Sequence, residues 1–235
     1  MFFTHYVRFF LIWFIMKKFI TCFVTLFLVL IAPYFFACEQ QSFLTPYVSE
    51  YRKDVFEGQG QNHKLIAYYG YRESPYLNDG KVSTIENGLT FILLDAPSDN
   101  VAYTLTLETE RPVTLEFNRL ASEQLIVFYE IDNFPLKEFN VTVKYGSTFE
   151  PILLKSKITS EHLDLDSVLK ILEKEQKAFI DHYTTDGYFN AEIHARIIVK
   201  DQKPYWYMAI ADGKRLKAFL VDATSGEILA IREIL

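Results

Sequence analysis

The chain has 235 residues, 50% of them hydrophobic and 16% aromatic, with 21 Phe and 15 Tyr against 2 Trp. That length allows one or two domains, and aromatic and β-branched residues favour strands. Before Cys38 there is no acid, and the only bases are Arg8, Lys17 and Lys18; 24 bases less these 3 leaves 21 against 30 acids. So acidic a body excludes non-specific nucleic-acid binding, which needs a basic surface.

In chain order, Met16-Lys17-Lys18 precedes an almost unbroken apolar run from Phe19 to Ala37. A short basic region followed by an apolar one reads as a secretory signal. At about 19 residues the run is also close to the ~20 that span a bilayer. Residues 1–38 are therefore assigned to a signal or anchor segment. Translation is read as starting at Met16, the alternative being a long two-part anchor that includes "MFFTHYVRFFLIWFI". Either way Lys17 and Lys18 stay inside and everything after Cys38 lies outside. "FFAC", Phe35 to Cys38, resembles a bacterial lipoprotein signal. The small Ala37 stands before the cysteine, and Phe35 stands where that signal usually has Leu. The resemblance implies lipidation at Cys38; the alternative is an uncleaved anchor with an incidental cysteine. No cysteine other than Cys22 and Cys38 occurs, so the exported body is expected to hold no disulfide, Cys-ligated metal or catalytic thiol.

Residues 39–55 are broken by Pro46 and have no sustained period, and read as a tether. Residues 56–158 alternate strand patterns with turn signals. "HKLIAYYGYR", "GLTFILLDAP", "VAYTLTLET", "VTLEFNRL", "EQLIVFYEID", "FNVTVKYG" and "EPILLKSKI" follow one another with no helical stretch between them. In the third, Val101, Tyr103, Leu105 and Leu107 share one face. This spacing predicts an antiparallel β-sandwich, Ig-like at most. Glu57-Gly58-Gln59-Gly60 reads as an early bend or bulge. From residue 160 the period changes. Leu165, Leu169, Leu172, Phe179 and Tyr183 fall at helical spacing, with Asp164 or Asp166 able to cap the start. "AEIHARIIV", "PYWYMAIA", "KRLKAFLVD" and "EILAI" then read as four strands. The fold class expected is mainly β plus α+β: a sandwich at 56–158, then at 160–235 one helix packed on a four-stranded antiparallel sheet.

The helix followed by "KPYWYMAIADGKRLKAFLVDATSGEIL", and above all "FLVDATSGEIL" at its end, resembles the PepSY domain over roughly Asp164 to Ile231. The resemblance implies an extracytoplasmic, non-catalytic module that modulates peptidases or binds at the cell envelope.

Residue chemistry offers little else. Glu161, His162, Asp164 and Asp166 could supply metal ligands, but capping and negative charge at a helix N-terminus explain the acids without a metal. His182 near a helix end and His194 on a strand lack a nucleophile signature; G-x-S-x-G, H-E-x-x-H and a phosphate loop are missing from the sequence. Asn140-Val-Thr142 reads as strand sequence rather than a used sequon. Alternation puts Trp206, Met208 and Ile210 on one strand face and Tyr205 and Tyr207 on the other. Tyr205 and Tyr207 are the candidate binding face, with cross-strand packing as the alternative for them and for "YYGY", Tyr68 to Tyr71. Asp212-Gly213 reads as a hairpin turn and Asp222 to Gly226 as a second turn.

The expectation is an exported, membrane-anchored lipoprotein of the cell envelope, facing outside or into a periplasm, that binds a protein or peptide. No catalytic residue, metal, cofactor or nucleic acid is expected. The alternatives are a modulator or inhibitor of an envelope peptidase and a cryptic hydrolase in which His162 or His194 meets a serine and a carboxylate.

Overall fold

The computed structural model describes residues 41–75, 82–94, 101–120, 124–158 and 162–234. Cys22, Cys38, the apolar leader and Glu161 lie outside the described residues. A 3-10 turn at Thr45–Tyr47 leads into β1 (Val48–Gln59). There follow β2 (Lys64–Glu73), β3 (Ile85–Leu94), β4 (Tyr103–Leu107), β5 (Val113–Glu116), β6 (Asn118–Arg119), β7 (Leu125–Glu130), β8 (Glu138–Tyr145) and β9 (Thr148–Ser156). Two helices come next, α1 (Leu165–Glu175) and α2 (Lys177–Tyr183), then the short β10 (Thr184–Thr185) and β11 (Tyr188–Phe189). The chain closes with β12 (Glu192–Lys200), β13 (Lys203–Ala211), β14 (Leu216–Asp222) and β15 (Ile228–Ile234).

Apart from the β10–β11 pair, the strands make one 13-stranded sheet with the order β15-β14-β13-β12-β1-β2-β3-β7-β6, and β9, β8, β4 and β5 lead off from β1. This overturns the expected sandwich followed by a helix on its own four-stranded sheet. The four C-terminal strands are not a separate sheet, because β12 pairs in parallel with β1, which pairs antiparallel with β2 and β9. The expected single helix is two, broken at Gln176 (φ −116°, ψ 26°).

The cause lies in β1, most of which falls in residues read as a tether. Its register shifts between Val48 and Glu50 against β12, and between Arg52 and Asp54 against β2. Each bulge adds one residue and exchanges the two faces of the strand. The burial along "VSEYRKDVFEGQ" therefore never alternates for long, and no period of two survives to be read.

β1 also joins two hydrophobic cores. Val48 and Val55 belong to the first, with Val168, Leu169 and Leu172 of α1, Ile180 of α2, and Ile193, Ile197, Trp206, Met208, Phe219 and Val221 of the sheet. Phe56 belongs to the second, with Leu65, Leu89, Phe91, Leu105, Leu107, Val141, Val143, Ile152 and Leu154. Ser42–Leu235 is accordingly one compact unit. Among the described residues no helix is long and apolar enough to cross a membrane.

Candidate functional site

Strand register decides which side chains share the face opposite the helices. Glu50 stands opposite His194 and Arg72, and Arg52 opposite Arg196 and Gly70. Arg196 in turn stands opposite Tyr207, and Ile198 opposite Tyr205. Directly paired residues project to the same side. The Tyr205 and Tyr207 face and a charged cluster on β1, β2 and β12 are thus one surface. On the other side, Trp206 is fully buried and donates its indole N–H to Leu163 O at 3.0 Å. Tyr205 and Tyr207 are half-buried.

The cluster centres on Glu50. Its carboxylate accepts from Arg52 Nε and from Arg196 Nη2. Burial raises the pKa of this carboxyl, but the two guanidinium charges and their hydrogen bonds outweigh it and hold the group below the usual carboxylate range. His194, beside Glu50, is pushed down by burial; Glu50 and Glu73 raise it, Arg196 and Arg52 lower it, and the net shift is downward. The imidazole is therefore neutral at pH 7.

Next to this cluster the surface sinks into a cleft of about 370 Å³, lined by Glu50, Arg52, Tyr68, Arg72, Thr90 and Phe128 among others. Its floor is shaped by what is missing. Gly70 and Gly88 are paired across β2 and β3. A Cβ on Gly70 would stand 1.7 Å from Tyr51 O, and one on Gly88 would stand 2.3 Å from Tyr129 O and 2.5 Å from Phe128 Cζ. Neither position can hold a side chain, so neighbouring residues project over a bare patch of backbone. The Arg72 guanidinium lies 3.8 Å from the centroid of Phe128, and that of Arg52 4.5 Å from the centroid of Tyr68. These contacts fix where the two cations sit. Within the same cluster, Arg72 Nε and Arg196 Nε are buried and have no hydrogen-bond partner among the described residues.

The other expected sites resolve into structure. Asp164 caps α1 by accepting from Ser167 N at 2.8 Å. Asp166 accepts from Ser42 N at 2.6 Å and pairs with Lys170 at 2.8 Å, so both acids hold the helix and the chain that crosses it. Among the described residues no group of three or more His, Cys, Asp and Glu is placed to hold a metal ion. His182 ends α2, exposed, with its ring against Tyr183. Ser49, the bulge residue beside Glu50, is fully buried, and its hydroxyl has no hydrogen-bond partner among the described residues, so it makes no nucleophile–base contact with His194. The Asp212 carboxylate accepts from Lys214 N and Arg215 N. Asp222 accepts from Thr224 N and Ser225 N, and Gly226, at φ +77°, closes that turn against Ile171 of α1. "YYGY" divides between faces. Tyr68 lines the cleft, Tyr69 enters the second core, and Tyr71 packs on Tyr51 with its hydroxyl pushed up to about 12 by burial.

Sequence reading missed Glu50, Arg52, Arg72 and Arg196, because an isolated charge on a strand looks like ordinary solvated surface. The available signal was Gly70 in the middle of "YYGYR", since a strand-interior glycine marks a close backbone approach. No family model, curated protein or solved structure matches this chain.

Proposed function

We propose that this protein is a non-catalytic, membrane-anchored lipoprotein of the cell envelope that binds a peptide or protein on the open face of its sheet. One observation carries the reading: the cleft floored by Gly70 and Gly88 and lined by Arg72, whose buried Nε–H has no acceptor among the described residues. Buried donors in folded proteins are nearly always satisfied, and a ligand supplies what the chain does not. The half-buried Tyr205 and Tyr207 extend the same face with the residue type that anchors interfaces. The basic and apolar leader ending at Cys38 supports export and lipid anchoring, and the PepSY-like wording of residues 164–231 supports an extracytoplasmic setting.

The test is photo-crosslinking in the membrane. A photoreactive residue is placed at Tyr205 or Tyr207, and for control at Tyr188, which is 70% exposed on β11. A common adduct from positions 205 and 207 that is missing from 188 supports the reading. No adduct, or the same adduct from all three, overturns it. Intact mass of the membrane-fraction protein tests the anchor: the chain begins at Cys38 and carries diacylglycerol if it is a lipoprotein, and retains Phe19–Ala37 if it is not.

A further inference from the structure

The two ends of the sheet are finished differently. One end stops at β6, which has only two residues. At the other end β15 has seven residues and pairs only with β14 among the described residues. Along such a strand, alternate residues point N–H and C=O outward, where another chain can pair with them. Natural edges are often guarded by Lys or Pro; "ILAIREI" holds neither. Its pairing with β14 slips once, at Leu229, and Leu229, Ile231 and Ile234 are all exposed. Ile231 stands opposite Phe219 of the first core, so apolar surface runs from that core to the edge and stops there uncovered.

Charge at the two ends of β15 points to what covers it. A groove between α1 and the start of the strand is lined by Ile171, Glu175, Glu227 and Ile231 among others, and a groove between α2 and its end by Phe179, Arg215, Lys217 and Glu233 among others. Around the first, Glu175, Glu227 and Asp222 stand against Lys174 and Lys203, three acids to two bases. Around the second, Lys214, Arg215, Lys217 and Arg232 stand against Asp212 and Glu233, four bases to two acids. Lys177 and Asp181 on α2 pair with each other. One end of the strand is thus acidic and the other basic, and such a strand is complementary to itself running the other way.

We infer that β15 pairs antiparallel with β15 of a second copy of this chain, about a two-fold axis at Ile231. Ile231 is the midpoint of Ile228–Ile234, so an axis there lets all seven residues overlap. An axis at Arg232 would set guanidinium against guanidinium. At Ile231, apolar side chain meets apolar side chain, and the acidic end of each copy lies along the basic end of the other. The edge is closed by its own kind, and the cleft floored by Gly70 and Gly88 stays free in each copy.

The experiment is sedimentation of the full chain in detergent between ~1 and ~100 μM, joined to disulfide trapping. The parent is expected to pass from monomer to dimer in that range. Ile231→Lys sets ammonium against ammonium at the axis and weakens the dimer ~10-fold or more. Leu153→Lys, at an apolar site on β9 that is 42% exposed against 49% for Ile231, leaves the dimer unchanged. Only a residue on the axis meets its own copy. Ile231→Cys therefore gives a disulfide-linked dimer on mild oxidation, beyond any formed through the parent's Cys22 and Cys38, and Glu233→Cys does not. A monomer at every concentration, a dimer that survives Ile231→Lys or weakens equally with Leu153→Lys, or equal trapping at positions 231 and 233 would each overturn the inference. Where Ile231→Lys fails to fold, the trapping comparison decides.

Discussion

Glu50 and Glu150 are both largely buried carboxylates, each with its pKa held below the ordinary range, yet their surroundings differ in kind. Glu150 is closed. It accepts from Asn62 N at 2.6 Å and His63 N at 3.3 Å, and its second oxygen meets His63 Nδ1 at 2.6 Å. Tyr103 and Tyr145 pack on the His63 ring, and Gly60 leaves room for the carboxylate, since a Cβ there would stand 2.1 Å from Oε1. Glu50 is open. Its partners are two part-exposed arginines, of which Arg52 lines a cleft; a buried nitrogen without a partner among the described residues occurs beside both carboxylates, at His63 Nε2 and at Arg196 Nε. A carboxylate satisfied by backbone N–H groups holds a loop in place; one satisfied by part-exposed side chains ties neighbouring strands together through their charges.

The largest effect expected at the open site comes from its floor. In Gly70→Ala the new methyl meets a backbone oxygen, which cannot swing aside as a side-chain end can. β1 and β2 must then separate where both cores depend on β1. Destabilisation of ~4 kcal/mol or more is expected, the range reserved for a named structural failure. Urea unfolding measures it, and a loss below ~1 kcal/mol would mean that β1 is not held where the register places it.

Next in size is Glu150→Gln. Two backbone donors and the buried imidazole lose a charged acceptor, a cost of about 3 kcal/mol. Glu50→Gln should cost less, about 1 to 2 kcal/mol, because Arg52 and Arg196 are partly exposed and water takes over their hydration. The pH dependence has the same sign for both. At Glu150 burial raises the carboxyl, and the bonds from Asn62 and His63 outweigh it; at Glu50 burial is outweighed by the two arginines. A depressed folded pKa contributes stability that is fully present above the unfolded value, ~4.3 for Glu, and lost as pH falls through the folded value. Each glutamine variant should therefore lose less stability than the parent between pH 5 and 3 (order-of-magnitude window from the reference value). If the two variants cost the same, the distinction between closed and open sites fails.

What could be read from the sequence followed local pattern. Tyr103, Leu105 and Leu107 alternate inward as their spacing requires, all but fully buried, whereas Val101, read on the same face, precedes the strand and is exposed. Leu169 and Leu172 face the core from α1, and the turns at Asp212 and Asp222 form where Asp and Gly place them. The joining of the strands was not legible. A parallel pairing between Glu50 and His194 spans most of the chain, and no local period encodes it. The bulges at Ser49 and Lys53 erased the alternation that would have identified β1 as a strand. For the same reason Tyr207 could be assigned to a face, but the Arg196 and Arg52 beside it could not, because their proximity exists only once β12 meets β1.

The smallest effect expected is at Tyr207, and it separates the two faces of β13. Trp206 is fully buried, bonded through its indole N–H and stacked 6.0 Å from Tyr51; truncating such a residue costs ~3–5 kcal/mol. Tyr207, one position on, is half-buried opposite Arg196 and Leu220. Tyr207→Ala loses partial apolar cover, but it also admits water to the neighbouring Arg196, whose Nε–H has no acceptor among the described residues. Hydrating that donor offsets part of the lost packing. The expected loss is ~1 kcal/mol or less, read from the urea midpoint at unchanged m. A loss as large as a core aromatic would make this face an inner layer of the protein, and the cleft beside it a packing defect instead of a binding surface.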